Sequence, residues 1–206
     1  MREITRETKI YHFTDVIVEY LVREFIELFD SFKSNLLVRD EINILTKVND
    51  LYEKLSTITT NKLLELAQLQ FEYITQGDYD LSIIDNAWLM ELFENFNPVT
   101  KYVYINEIDR KRSRMYEGIM SSDTPVDEVE RSLKYWCSMV SQMAVDVTDK
   151  ATETAYKCCE VSMVEWVSEN DSRRCDKCKH LDGQVFSIYE IPPKQHNHCR
   201  CFVIPA

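Results

Sequence analysis

Glycine and proline are scarce, three and five in 206 residues. That scarcity excludes collagen-like and low-complexity chains and leaves few sites for the tight hairpin turns of an all-β fold. No apolar run approaches the roughly 20 residues that cross a bilayer. The opening MREITRETKIYHF also lacks the apolar core of a secretory signal. Neither an internal repeat nor a low-complexity segment breaks the chain. Together these absences give the expectation of a helix-rich chain that stays in a reducing cytosol, with no membrane partner and no small-molecule substrate.

Cation is the next shortage. Residues 1–170 hold 18 Lys and Arg against 31 Asp and Glu, a balance of −13, while residues 171–206 hold 6 against 4, or +2. An acidic body repels phosphate, so wholesale coating of nucleic acid is disfavoured. The seven cysteines are an odd number. In a reducing compartment that argues for thiols or metal ligands rather than a disulfide framework.

Apolar residues at helical spacing dominate up to about residue 159. Ile17, Leu21, Phe25, Leu28 and Phe32 step by 4, 4, 3 and 4 and predict a first helix with Thr14 as N-cap. A run from about Asp40 to Gln76 predicts one long helix, or two in series, along Leu45, Val48, Tyr52, Leu55, Ile58, Leu63, Ala67, Phe71 and Ile74, closed by Gly77. Ile84, Trp88, Leu92 and Phe96 predict a third helix that ends before Pro98. A fourth is expected from about Thr100 to Met120. The strongest start signal is SSDTPVDE, with Thr124 as N-cap, Pro125 at the first helical position, and Asp127 and Glu128 in the first turn. The helix it opens carries Val129, Leu133, Trp136, Val140, Met143 and Val147, continues through Ala151, Ala155 and Cys158, and would be roughly 45 Å long. So narrow a stripe suits another long helix, in the same chain or a neighbour's. Part of it, or the Ile17 to Phe32 face, is expected to stay open to a partner. Beyond Glu160 the pattern turns β-tolerant, with short strands expected near Val161–Val167, Gln184–Ile188 and Arg200–Ile204, and a turn after Val167 in SENDS.

Into this last part fall four of the seven cysteines and three of the four histidines. Cys175 and Cys178 are two residues apart, then after seventeen more come His196 and Cys199, with Cys201 close behind. Two close pairs separated by a loop are what a tetrahedral zinc needs, and four such ligands leave no open position. Five candidates compete for four places: Cys175, Cys178, His196 and Cys199 are the preferred set, with Cys201 able to replace His196 or Cys199. One structural zinc per chain would help a unit of roughly 40 residues to fold. His180 and His198 are expected beside the site or in solvent.

The run Trp166, Asp171, Cys175-x2-Cys178, Leu181-Asp182-Gly183-Gln184-Val185-Phe186, Pro192-Pro193 and His196-x2-Cys199-Arg200-Cys201 resembles the phage Mu F-like minor head (head morphogenesis) family of tailed phages. The resemblance covers about residues 150–206, with a looser likeness in NPVTKYVYINEIDRKRSRMYE. His198 stands where that family usually has a small polar residue, and Ala151 where arginine is expected. The resemblance implies a minor structural protein of the phage head, present in few copies. It would be made in the host bacterial cytoplasm and sit in the virion near the portal and capsid interior. Portal and capsid proteins would be its partners, phage DNA a weak one, and catalysis of its own is not implied.

Other features read more plainly. Arg110-Lys111-Arg112 with Arg114 is expected to be a solvated face balanced by Glu107, Asp109 and Glu117. Cys137, Cys158 and Cys159 are expected as small buried apolar residues. Asp171, Asp182 and Glu190 would serve as acid or base only if the metal kept a water. The fold class expected is α+β: an elongated helical body over residues 1–159 for assembly and docking, and a zinc-stabilised β module over 160–206. The alternative is a zinc-ribbon-like nucleic-acid-binding or regulatory adaptor using Arg173, Arg174, Lys177, Lys179, Lys194 and Arg200.

Overall fold

A computed structural model describes residues 1–34, 36, 41–168 and 175–206, with the backbone alone for residues 41 and 42. Asp40, the turn expected after Ser168, Asp171, Arg173 and Arg174 lie outside the described residues.

Five α-helices come first: α1 (His12–Ser34), α2 (Glu41–Thr75), α3 (Asn86–Glu94), α4 (Tyr104–Ser121) and α5 (Pro125–Cys158), with a single 3-10 turn at Leu81–Ile83. Strand β1 (Met163–Val167), the short helix α6 (Asp176–Leu181), β2 (Val185–Ser187) and β3 (Phe202–Pro205) follow. The strands form one antiparallel sheet of order β2-β1-β3. Val164 lies opposite both Phe186 and Pro205, so β1 is the central strand. The outcome is a mostly helical chain with a small C-terminal sheet.

α5 is the element on which the others converge: α1, α2 and α4 all pack against it. At 34 residues it is about 51 Å long. Val129, Trp136, Val140, Met143 and Val147 are fully buried, and Leu133 is partly buried against the same core. Ile17, Leu21, Phe25 and Phe32 are buried too. Both stripes expected to stay open to a partner are therefore covered within the chain. At the centre of the packing the Trp136 ring meets Phe25 of α1 and Tyr52 of α2 edge-on, with centroids 5.7 and 5.4 Å away.

Several local expectations shift. Thr14 does not cap α1, because the helix begins two residues earlier and the Thr14 hydroxyl instead meets that of Thr148 on α5 at 2.7 Å. The second run is one helix, closed by Gln76 and Gly77 with φ of 59° and 76°. Ile44 rather than Leu45 takes the buried place near its start. α3 starts at Asn86, with the Asp85 carboxylate accepting from the Trp88 N–H at 2.9 Å, and buries Leu89 and Phe93. Phe96 is therefore left outside the helix and 61% exposed. α4 begins four residues later than expected. Asn97 Oδ1 accepts from the Val99 and Thr100 N–H groups, and Lys101 takes a left-handed φ of 67°, which holds that segment in a turn. Pro125 opens α5 at Thr124 as expected, although the Thr124 side chain makes no capping bond. Among the described residues no helix is long and apolar enough to cross a membrane.

The Trp136 indole N–H is buried and makes no well-formed hydrogen bond, although the Tyr52 hydroxyl lies near it. Trp136→Ala should therefore lower unfolding free energy by about 3–5 kcal/mol through lost burial and a cavity. Trp136→Phe, which keeps much of the ring and removes the orphan donor, should cost clearly less. Urea denaturation followed by circular dichroism measures both, and equal losses would contradict the packing described.

Candidate metal centre

The short helix α6 was not expected, and it builds the first half of the site. Cys175 is its N-cap, so Cys178 falls one turn further on and its backbone N–H points at Cys175 Sγ, 3.4 Å away. The two sulfurs are 3.3 Å apart. His196 and Cys199 arrive from the loop before β3: His196 Nε2 and Cys199 Sγ each lie 3.7 Å from Cys178 Sγ. The donors form two triplets, Cys175–Cys178–His196 and Cys178–Cys199–Cys201, with atoms within 4.8 Å of one another in each. All five predicted ligands are thus gathered around Cys178, and the group could hold a metal ion. His198, between two of them, takes a left-handed φ of 56°, a region where histidine is tolerated better than most residues. His180 and His198 are both exposed.

Charge within the cluster is divided. Hydrogen bonding from Cys201 and the nearby Lys194 ammonium pull the Cys199 thiol down to about 5 against its burial. The Cys178 N–H pulls Cys175 down as well. Cys178 is pushed up to about 12, chiefly by burial and then by its bond to Cys175, and the bond to Cys199 pushes Cys201 up. His196 is raised because its Nδ1 faces the Asn197 carbonyl at 3.0 Å. Two thiols pulled down beside two pushed up make a site where a divalent cation would favour the thiolate form of all four.

The cluster is moored to the helices by residues that ligand spacing does not reveal. Tyr11 Oη donates to the Cys201 carbonyl at 2.9 Å and lies 2.7 Å from Asp149 Oδ1 on α5. Lys194 Nζ reaches Tyr11 Oη at 2.7 Å, Asp149 Oδ2 at 3.1 Å and the Cys199 carbonyl at 3.5 Å. Burial raises the Asp149 carboxyl to about 7 against the pull of Lys194. The His198 N–H donates to Gln142 Oε1. Arg200 binds both carboxylate oxygens of Asp15, at 2.8 and 3.0 Å. One signal pointed to these partners: Gln142, Asp146, Asp149 and Glu153 make a second, polar stripe on α5 at steps of 4, 3 and 4.

The remaining site expectations settle individually. Asp182 Oδ1 accepts from the Ser168 N–H at 2.9 Å and faces Arg6 at 3.4 Å, which commits it to the loop. Glu190 is exposed in the bend that follows β2. Lys179 pairs with Asp176, and Lys194 and Arg200 are tied as above, so three cations of the adaptor reading already have partners. In the basic run, Arg110 and Lys111 both face Glu107, and Arg112 pairs with Asp109. Cys137, Cys158 and Cys159 are half-buried rather than buried.

Metal binding here must displace protons from Cys178, Cys201 and His196, whose pKa values are raised, so affinity should fall as pH falls. Titrating the metal-free chain with Co2+ at pH 8 and pH 6, and following the thiolate-to-metal absorption, should show markedly weaker binding and more proton release at the lower pH. A pH-independent affinity would contradict the divided charge.

No curated protein and no solved structure matches the chain. A family model described as Phage Mu protein F like protein matches residues 108–204. The match begins in α4, inside the stretch where only a looser likeness was expected, and takes in α5, the sheet and all five candidate ligands. The part of this chain that runs from Ile108 to Ile204, with its cysteines and His196, is therefore similar to the Phage Mu protein F-like family.

Proposed function

We propose that this chain is a minor structural protein of a phage head, present in few copies, that acts in head assembly next to the portal and capsid interior. The observation that carries this reading is the family match over residues 108–204. In this reading residues 160–206 are held by one structural zinc. A tetrahedral ion with thiolate bonds of about 2.3 Å sets its sulfur ligands about 3.8 Å apart. The separations of 3.3 to 3.7 Å around Cys178 suit that donor set. Cys175, Cys178, His196 and Cys199 would hold the ion, and the Cys201 thiol, directed at Cys199, is the alternative fourth ligand. Four protein ligands close the coordination sphere, so the zinc would cross-link α6 to the loop before β3 and carry no reaction. Asp182 is engaged structurally, which leaves it ill-suited to act as an acid or base. Portal and capsid proteins are the partners this reading requires. DNA would be at most a weak contact, given the net charge of −11.

Freshly purified, unchelated protein should contain one zinc per chain by metal analysis. Cys178→Ser should lose it and release the fluorescence of buried Trp166, while the helical dichroism largely persists. Substoichiometric zinc would remove the structural metal from this reading. Expressed with neighbouring head proteins, the chain should co-sediment with procapsids or portal assemblies at low copy number. A chain that stays soluble and monomeric beside every head component, and binds DNA in a salt-dependent way, would replace the assembly reading with the adaptor.

A further inference from the structure

Between Lys62 and Lys101 the chain has seven carboxylates and not one lysine or arginine. All seven are exposed. Glu65 pairs with Lys62 at 2.7 Å and Asp78 faces the Met1 amino group at 3.6 Å, while the other five have no ion-pair partner among the described residues. In the middle of this segment residues 76–83 are exposed without interruption. They include Tyr79, Leu81 and Ile83, which keep 37, 37 and 40% of their surface in water. These large apolar side chains alternate with Asp78, Asp80 and Ser82.

The loop is already organised. Tyr79 Oη donates to the Cys158 carbonyl at the end of α5 at 2.5 Å. Asp80 Oδ1 accepts from the Ser82 N–H at 2.9 Å, and Gln68 Nε2 donates to the Ile84 carbonyl at 3.0 Å. Gly77, with φ 76°, turns the chain out of α2 into it. A partner would therefore meet a surface whose ordering cost has been met in folding. Apolar anchors supply contact energy, and carboxylates such as Asp80 and Asp85, with no ion-pair partner among the described residues, select the sign of the partner.

We propose that loop 78–85 is a docking surface for a protein segment that carries lysine or arginine between apolar side chains. The same carboxylates repel nucleic acid, anionic lipid and a second copy of the loop. The proposal does not rest on the phage-head reading, since it needs only the loop and its charge.

The test uses the full chain and three labelled synthetic peptides: alternating Lys-Leu, alternating Lys-Ser and alternating Glu-Leu. Fluorescence anisotropy should show binding of Lys-Leu, weakened by salt, with Lys-Ser and Glu-Leu far weaker. Leu81→Ser with Ile83→Ser should reduce Lys-Leu affinity by about tenfold or more. So should Asp78→Asn, Asp80→Asn and Asp85→Asn together, a set that keeps the capping side chains. Neutralising as many exposed acids elsewhere, with Glu19→Gln, Glu27→Gln and Glu53→Gln, should leave affinity within about twofold. Should a loop variant lose helical dichroism, hydrogen–deuterium exchange on the unaltered chain decides: Lys-Leu should protect residues 79–88 above all others. The proposal is overturned if Lys-Leu does not bind, if the distant set weakens it equally, if the loop variants bind undiminished, or if protection falls elsewhere.

Discussion

A half-buried carboxyl and its two partners hold the C-terminal part of this molecule to the rest. Asp149 sits on α5, Tyr11 at the entry to α1, and Lys194 in the loop that delivers His196 and Cys199. Removing one member leaves the others in a place where water cannot fully replace it, which is why breaking such a group costs about 3–5 kcal/mol where it is buried. Tyr11 and Lys194 then pass the constraint outward to the backbone carbonyls of Cys201 and Cys199. The ligand cluster is thus positioned by groups that are not ligands.

The same logic extends along α5. Asp146, three residues earlier, accepts from Asn97 Nδ2, Gln142 Nε2 and the Tyr104 hydroxyl, which fixes the turn between α3 and α4. Gln142 also receives the His198 N–H. One polar stripe on α5 therefore organises both the α3–α4 turn and the loop that carries His196 and Cys199. That stripe is costly to bury unless every atom is satisfied, and the pairing observed around Asp146 and Asp149 meets that condition.

Helix existence was legible because burial enforces a period: the Ile17 to Phe32 and Val129 to Val147 series both line the core. Helix ends were not, since the Thr14 hydroxyl took a tertiary partner in place of a cap and Asn97 held Val99 and Thr100 in a turn where a helix start was expected. The α3 face was read one residue off because its apolar residues are nearly continuous, so period alone could not choose Leu89 and Phe93 over Trp88 and Leu92. The gathering of all five candidate ligands was legible from spacing, which is a local property of two knuckles. Tyr11 was not, because a pairing across most of the chain leaves no local pattern, and Asp149 shows only as one member of the polar stripe on α5. The expectation of open helical stripes failed for a simple reason: α1 and α2 are long enough to cover α5 themselves.

Tyr11 and Cys201 are 190 residues apart, whereas Cys178 and Cys199 are separated by 21. Closing the larger loop costs about 2 kcal/mol more chain entropy than closing the smaller. The cysteine knuckles can therefore meet early and locally, while Cys201 reaches Tyr11 only once α1, α2 and α5 have packed together. Order of assembly within the molecule follows from that difference: the ligand loop closes as a small independent knot, and its docking is among the last contacts to be made.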